Sequence, residues 1–491
     1  MNYHDPVDRE LKQLLKSKTQ DLVIPDTVQL AVDNTLSSLS KQNMKKQYPL
    51  KRWRWAAAVI ALIFVLGTVS IFTVPTFAEM LRSLFAKDNS DIGLLRAQEL
   101  GLVHDPHIKV KDEGYTLVID EAVADPTRVT IALQLFDRKG KHDRNKLALI
   151  DPNKITIKDD KGNEVGSMYD MGYTSDFYYM VAFFSEPLQT DKITIEGNIG
   201  TLGQRNEPSI EGNWNFIFDM DMKEANKQTK IEELSGSYTT PNGMTITLKR
   251  LTRMVQGVRF ELETELDDEA MGRSPGDLWE KQMLSYHFET IEGEEIHSMN
   301  PRKMGYMNSL MTSDHRVIGN GKMRWSYTFK YLPEHEPYRF VLDGYSVAEK
   351  DGSRVSFKPS QLTEPKAFKI LNDRVELVGT SLEESQSGDG ISEMAVSFYG
   401  EMENEIRHEE WKAYDSAGKQ YEVTMRGASS FVNTLTDHWR EGFISMGDRN
   451  TQQPYEFRIP GLDQIPEELI LVREVVDKRY KDPEWSVFIK Q

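Results

Sequence analysis

The chain has no cysteine in 491 residues, which excludes disulfides, thiolate metal sites and cysteine nucleophiles in one step. A large exported region without such staples suits a bacterial surface better than an animal extracellular space. Positive charge is also short: 60 basic residues face 77 acidic ones, a net charge of -17. That sign argues against nucleic acid or an anionic surface as partner of the bulk of the chain. Catalytic patterns are missing as well. No nucleophile elbow, phosphate loop or dinucleotide glycine motif occurs. The ten histidines are scattered; His104 and His107 stand three apart without a third ligand and read as a solvent-side loop. The stretch "IRHEEWK" opens like a zinc-protease helix, yet Lys412 stands where the second histidine is needed. Glu294–Glu295 and Glu409–Glu410 could serve a glycosidase only opposite another carboxylate, and they read as solvated faces. The sequence therefore predicts a protein that is not an enzyme, with no catalytic, cofactor-binding or metal-ligating residues and no cofactor.

What the sequence does have is one long apolar run. Trp55 to Ala78 is free of formal charge, and roughly 20 helical residues cross a bilayer core. A cleaved secretory leader is the rival reading, with Thr76, Phe77 and Ala78 resembling a cleavage site. Such leaders are about 15–30 residues long in all, whereas 54 residues precede this run. Lys41, Lys45, Lys46, Lys51, Arg52 and Arg54 flank it on one side, and only Arg82 and Lys87 on the other. The positive-inside rule then predicts residues 1–54 in the cytoplasm, a single transmembrane helix over 55–78 and an extracytoplasmic remainder. Removing the 10 basic and 6 acidic residues of positions 1–78 leaves 50 and 71 outside, a charge of -21.

The tail carries two short amphipathic patterns. Val7, Leu11, Leu14 and Leu15 share one side of a helix that Asp5 and Pro6 would start; Val28, Ala31, Val32, Leu36 and Leu39 form a second stripe. Helices of about three turns are marginal alone, so the stripes are expected to pack together, on lipid or on a cytosolic partner, or to belong to an inert leader.

Beyond the span, residues 79–105 read as juxtamembrane helices. From Ile108 the pattern alternates with period two, as half-buried strands do. The same order of elements begins near Tyr115, Met244 and Val375, 129 and 131 residues apart. The fold class expected is mainly β: one N-terminal transmembrane helix followed by tandem β-sandwich-like domains at 106–232, 233–367 and 368–491, the alternative being two units with the second and third fused. Core positions read from the alternation are Leu117, Ile119, Ile131, Leu133, Phe183, Ile195, Phe260, Leu262, Phe340, Val396 and Phe457. In "FYYMVAFF" both strand faces are apolar, which predicts a central strand. Trp214, Trp325, Trp411 and Trp439 read as core residues. "DDKGNE" (159–164) has oxygens at a spacing that could attract calcium, but its counterparts "TIEGEE" and "DSAGKQ" favour a glycine turn in all three.

The span and its exit, "RWAAAVIALIFVLGTVSIFTVPTFAEM", followed by "VKDEGYTLVIDEAVADPTRVTIAL", carry a likeness. Pro75, Phe77 and Ala78, then Gly114, Tyr115, Leu117, Ile119, Glu121, Asp125 and Arg128, resemble the domain of unknown function 4179. That family is a membrane-anchored extracytoplasmic domain of Bacillus-like and Clostridium-like bacteria, and the likeness spans about residues 50–140. The later units resemble the domain of unknown function 5643. The resemblance implies a Gram-positive cell-membrane protein related to anti-sigma factors, with residues 1–48 restraining an extracytoplasmic-function sigma factor. It also implies a sensory or interaction region outside that meets an unknown ligand or protein. The chain lacks the His and Cys zinc pattern of the best-known anti-sigma fold. A structural or adhesive cell-surface module without a signalling role is the alternative.

Overall fold

The computed structural model describes residues 84–87, 91–149, 151–168, 170–174, 176–203, 208–300, 310–384, 392–432, 443–481 and 485–489. The tail helices, the span 55–78 and Trp439 lie outside these residues. Among the described residues no helix is long and apolar enough to cross a membrane. The described part is mainly β-stranded, with several sheets closing over three hydrophobic cores.

Helices α1 (Leu84–Lys87) and α2 (Ile92–Glu99) come first. The first sandwich follows: β1 (Ile108–Asp112), β2 (Tyr115–Ala124), β3 (Arg128–Phe136), β4 (Lys154–Lys158), β5 (Glu164–Ser167), β6 (Asp170–Tyr173), β7 (Tyr178–Phe183), β8 (Lys192–Asn198), β9 (Thr201–Leu202), β10 (Ile210–Glu211) and β11 (Phe216–Asp221). One sheet runs β1-β2-β3-β7-β6 and the other β11-β8-β4-β5. Leu117, Ile131, Ile195 and Trp214 lie between them, fully buried. Burying each such side chain contributes roughly 1.5–3 kcal/mol. Strand β2 changes phase midway: the β2–β3 register shifts between Ile119 and Glu121. The bulge keeps Ala122 and Ala124 in the core and turns Glu121 and Val123 to the opposite face, toward the helices.

After α3 (Lys223–Lys227) come β12 (Lys230–Glu233), β13 (Ser237–Thr239), β14 (Met244–Arg253), β15 (Val258–Leu266), α4 (Asp268–Arg273), β16 (Gln282–Thr290), β17 (Glu295–Ser298), β18 (Leu310–Gly319), β19 (Lys322–Phe329) and β20 (Tyr338–Phe357). The sheet β12-β14-β15-β19-β18 covers an aromatic core in which Phe260, Tyr286, Phe288 and Phe340 meet ring to ring at 5.1–6.1 Å.

Strand β20 is shared. Its first half pairs with β16 and its second with β29 of the third core. That core is built from β21 (Lys366–Ile370), β22 (Asp373–Glu384), β23 (Ser392–Met402), β24 (Glu405–Asp415), β25 (Gln420–Arg426), β26 (Ser429–Val432), β27 (Phe443–Met446), β28 (Tyr455–Pro460) and β29 (Leu469–Tyr480). Strand β25 turns the corner, pairing with β24 through Gln420–Val423 and with β28 through Thr424–Arg426. The last strand, β30 (Ser486–Ile489), returns to the first half of β20 and places Ile489 in the second core.

Ten of the eleven expected core residues are no more than 1% exposed. Phe183 is the exception: it is half-buried on the face of β7 opposite Tyr178, Met180 and Ala182, outside the sandwich core. Trp214, Trp325 and Trp411 are buried. The glycine turns recur with Gly162, Gly293 and Gly418 at φ of 84°, 86° and 79°. Asp159 spends its carboxylate on Lys161 N, Asn163 N and the Asn163 side chain.

Glu409 departs from the solvated face expected of it. Its side chain is fully buried beside Arg473 in the third core. The Arg473 guanidinium holds Asp351 of the β20 bulge at 2.6 Å, Asp373 at 2.7 Å and Glu409 at 3.0 Å. Three carboxylates thus share one cation. Burial pushes the Glu409 carboxyl up to about 7, against Arg473 and with help from Asp373. Its folded value lies above its ordinary 4.5, so the group favours folding in acid and this contribution is lost as pH rises through 7. Glu409→Gln should therefore gain roughly 2–3 kcal/mol on the wild type between pH 5 and pH 8, measured by denaturant unfolding. A constant difference across that range would place the charge elsewhere.

Candidate functional site

The place where α1, α2 and the first two sandwiches meet is built around the β2–β3 hairpin. The tip "ADPTR" folds on Asp125, whose Oδ1 accepts from Thr127 N at 2.8 Å, from the Thr127 hydroxyl and from Arg128 N at 3.1 Å. Asp and Pro suit such a tip because the side chain closes the turn and the ring fixes φ. The other oxygen of Asp125 accepts the backbone N–H of Gln256, from the β14–β15 turn of the second sandwich. Gln256 answers through its side chain, donating Nε2 to Arg128 O at 3.1 Å and accepting from Thr130 at 3.4 Å. Asp125 and Gln256 are both fully buried, so these bonds are shielded from water.

Arg128 carries the contact to α2. Its two terminal nitrogens grip Asp91 Oδ1 and Oδ2 at 2.6 and 2.7 Å, the forked geometry that suits a carboxylate. Asp91 is also the N-cap of α2, accepting from Gly93 N at 2.9 Å and Leu94 N at 3.2 Å. Burial works to raise the Asp91 carboxyl, but Arg128 and then Lys330 outweigh it and hold the group below its usual 3.8. Gly93 is required by close approach: a Cβ there would stand 2.6 Å from Gln256 O and 2.8 Å from an Arg128 nitrogen. Glu121, turned outward by the bulge, accepts Leu84 N at 3.0 Å and Phe85 N at 3.1 Å and so caps α1. Phe85, Leu94, Ala97, Val123, Phe177 and Val255 pack beneath, with the Phe85 and Phe177 rings edge to face at 6.1 Å. Farther out, Arg96 of α2 reaches Glu334 of the second sandwich at 3.2 Å.

Between these parts lies a groove of about 220 Å³, walled by Phe85, Leu94, Phe177, Phe183, Leu310 and Met311, with Asp91, Asp170, Arg128 and Lys330 as its charged groups. Both faces of "FYYMVAFF" are covered as its composition suggested, one by the sandwich core and the other by the helices and this groove. A second, larger groove of about 550 Å³ lies on the outer sheet of the third core. Four of its charges are paired, Arg374 with Glu401 and Arg449 with Glu376, Arg449 covers the Tyr399 ring at 4.6 Å, and Asp448 accepts from Asn450 N at 2.8 Å. His104 and His107 are both exposed, and no metal-holding group of three occurs among the described residues.

Glu121, Asp125 and Arg128, singled out in the sequence by resemblance, converge here. Tyr115, Leu117 and Ile119 belong to the first sandwich core, and Gly114 (φ 81°) makes the β1–β2 turn. Asp91, Gly93, Gln256 and Lys330 escaped sequence reading. Asp91 before an apolar helix is a legible cap; the others become partners only through tertiary contact.

Residues 49–137 match the family described as "Domain of unknown function (DUF4179)", so the chain contains a DUF4179-like domain. The match stops one residue past β3, and β4 to β11 complete the sandwich beyond it. No curated protein matches. Among solved structures, the chain is similar to "The crystal structure of the conserved domain protein from Bacillus anthracis". The two share 15% identity, the alignment covers 52% of this chain and 82% of that one, and the TM-score is 0.34.

Removing one partner of a buried ion pair strands the other, at a cost of about 3–5 kcal/mol. Arg128→Ala should thus abolish hydrogen-exchange protection in 92–99 while the β3–β7 pairing stays protected. Because the Asp91 value is depressed, the pair's contribution is complete above its usual 3.8 and fades as pH falls through the folded value. Protection of α2 that is unchanged in the variant would refute the role given to this pair.

Proposed function

We propose that the chain is a single-pass membrane signalling anchor. In this reading residues 1–54 are cytoplasmic, 55–78 span the membrane, and the β-rich region is an extracytoplasmic sensory or interaction module. The tail, residues 1–48, restrains a sigma factor of the extracytoplasmic-function class. The DUF4179-like match over 49–137 and the mainly β structure are consistent with an extracytoplasmic module.

One observation carries the proposal. The helices that follow the apolar run in sequence are fastened to the β-region by buried, charge-assisted bonds rather than left as a loose linker. A change in how the first two sandwiches meet at Asp125 and Gln256 bears directly on Arg128, and through Asp91 on α2. A ligand or partner with different affinity for the fastened and released arrangements would shift their balance. The alternative, a structural or adhesive surface module, draws support from β20, whose 20 residues take part in both the second and the third core and so join them.

Two experiments on the full chain in its host test the reading. A reporter after Asn89 should appear outside and one after Ser40 inside; the reverse would overturn the topology. Changing Leu15 and Leu36 together to Asp removes the apolar anchors by which a helix binds a groove. That variant should raise the partner regulon's transcript without changing the amount of protein in the membrane, and Arg128→Ala should alter the same transcript. Unchanged transcription in both, with no cytosolic protein retained by the wild-type tail, would favour the surface module.

A further inference from the structure

We infer that the free edge of β18 pairs with β18 of a second copy of this chain, joining the two second-sandwich sheets into one. The inference goes beyond the signalling reading and takes from it only the anchoring of both copies in one membrane.

The first observation is the edge itself. Strand β18 ends the sheet β12-β14-β15-β19-β18 and pairs with β19 alone among the described residues. Its other side presents backbone N–H and C=O groups, a template for a further strand. Other edges are blunted in the ways proteins commonly use. Lysines stand on β1 (Lys109, Lys111) and β21 (Lys366, Lys369), and β5, β6 and β17 are only four residues long. Strand β18 has ten residues with neither Lys nor Pro. Its register against β19 is regular from Thr312 to Val317, and the irregularities fall at its two ends. Ser313, His315 and Arg316 are exposed, and Val317 and Ile318 leave 47% and 40% of their surface to solvent.

The second observation is that this strand is complementary to itself in one register. Two antiparallel strands related by a two-fold axis through the sheet pair only residues that point to the same face, so the axis must pass through one residue. Through Asp314 it sets acid against acid, and through Arg316 it sets base against base. Through His315 it sets Asp314 opposite Arg316 of the other copy, twice over, and brings Val317 and Ile318 against Ser313 and Thr312. Opposite charges facing across strands are favourable and like charges are not, which selects the axis at His315. The present partner of Arg316 is Glu186 at 3.3 Å, with both side chains about half exposed, and such a pair contributes little. His315 is held at the edge by the Trp325 ring, stacked at 5.0 Å.

A strand pair of this length covers less than the roughly 1,000 Å² of a stable interface. The pairing is therefore weak in free solution and depends on the local concentration that a shared membrane provides.

The chain has no cysteine, so a single introduced thiol can bridge only to another molecule. His315→Cys in the full-length chain, in its host membrane, is oxidised with copper phenanthroline. We expect a product of twice the mass of the chain, because a disulfide needs Cα atoms about 4.4–6.8 Å apart and the axis supplies that approach. Ser313→Cys and Val317→Cys, each alone, should give at least about tenfold less, since each faces the other residue rather than itself; copies of the two expressed together should cross-link. Ile217→Cys, at a position 63% exposed on β11, sets the level of chance collision. Added to His315→Cys, either Arg316→Asp or Asp314→Arg should lower the product about tenfold, like charges now facing twice. Both changes together restore opposite charges in the same register and should restore the product, which a merely misfolded strand would not do. A His315→Cys product no stronger than that of Ile217→Cys would overturn the pairing. So would equal products from positions 313, 315 and 317, failure of the charge exchange to restore the product, or a product of another mass, which would put a different protein on this edge. The reporter after Asn89 tests the anchoring separately, so an outside reporter without the cross-link sinks the pairing and spares the signalling reading.

Discussion

The arrangement of helices and sandwiches depends on a single guanidinium. Arg128 begins β3, holds Asp91 with two bonds at 2.6 and 2.7 Å, and offers its carbonyl to Gln256. A buried cation must find an anion or be neutralised, and arginine cannot give up its proton. The first turn of α2 is thereby fixed against the hairpin, since Asp91 can satisfy Arg128 only while capping that helix. Asp125 extends the constraint to the second sandwich by accepting a backbone N–H that no water reaches.

Farther along the chain, charge is used differently. At Arg473 one cation faces three carboxylates, and burial, with a smaller push from Asp373, raises the Glu409 carboxyl and favours its neutral form. That cluster ties the bulge of β20 to β22, β24 and β29, so the third core is stitched by ionic bonds at the point where its sheet continues from the second. The two centres sit in different sandwiches and answer to opposite ends of the pH scale. Asp91 loses its contribution in acid, and Glu409 loses its own toward neutrality and above.

The sandwich cores were largely legible because a half-buried strand must alternate. Leu117, Ile131, Phe260, Val396 and Phe457 follow from period two alone, and all are buried. The repeated glycine turns were legible for a similar reason: a tight hairpin needs a residue with positive φ. Reading failed where alternation breaks or where a charge finds a distant partner. Extending the phase of Leu117 and Ile119 would place Glu121 in the core, but the bulge at Asp120 sends it to the helices. Phe183 was assigned to the wrong face because both faces of β7 are apolar and composition does not say which sheet lies over which. Glu409, read as solvated beside Glu410, is buried because Arg473, 64 residues away, lies across the strand from it.

What the sequence determined by itself is therefore local: strand periodicity, turn chemistry, the absence of thiol chemistry, and the likeness over the first hairpin. These depend on neighbours within a few residues, whose geometry the backbone fixes. The tertiary structure alone decided which charges meet. Asp91 with Arg128, Asp125 with Gln256, and Asp351, Asp373 and Glu409 with Arg473 are brought together over separations from 37 to 131 residues. A carboxylate in isolation looks like any solvated carboxylate. Only the packing that removes its water compels it to find a partner, and that packing is a property of the assembled sheets.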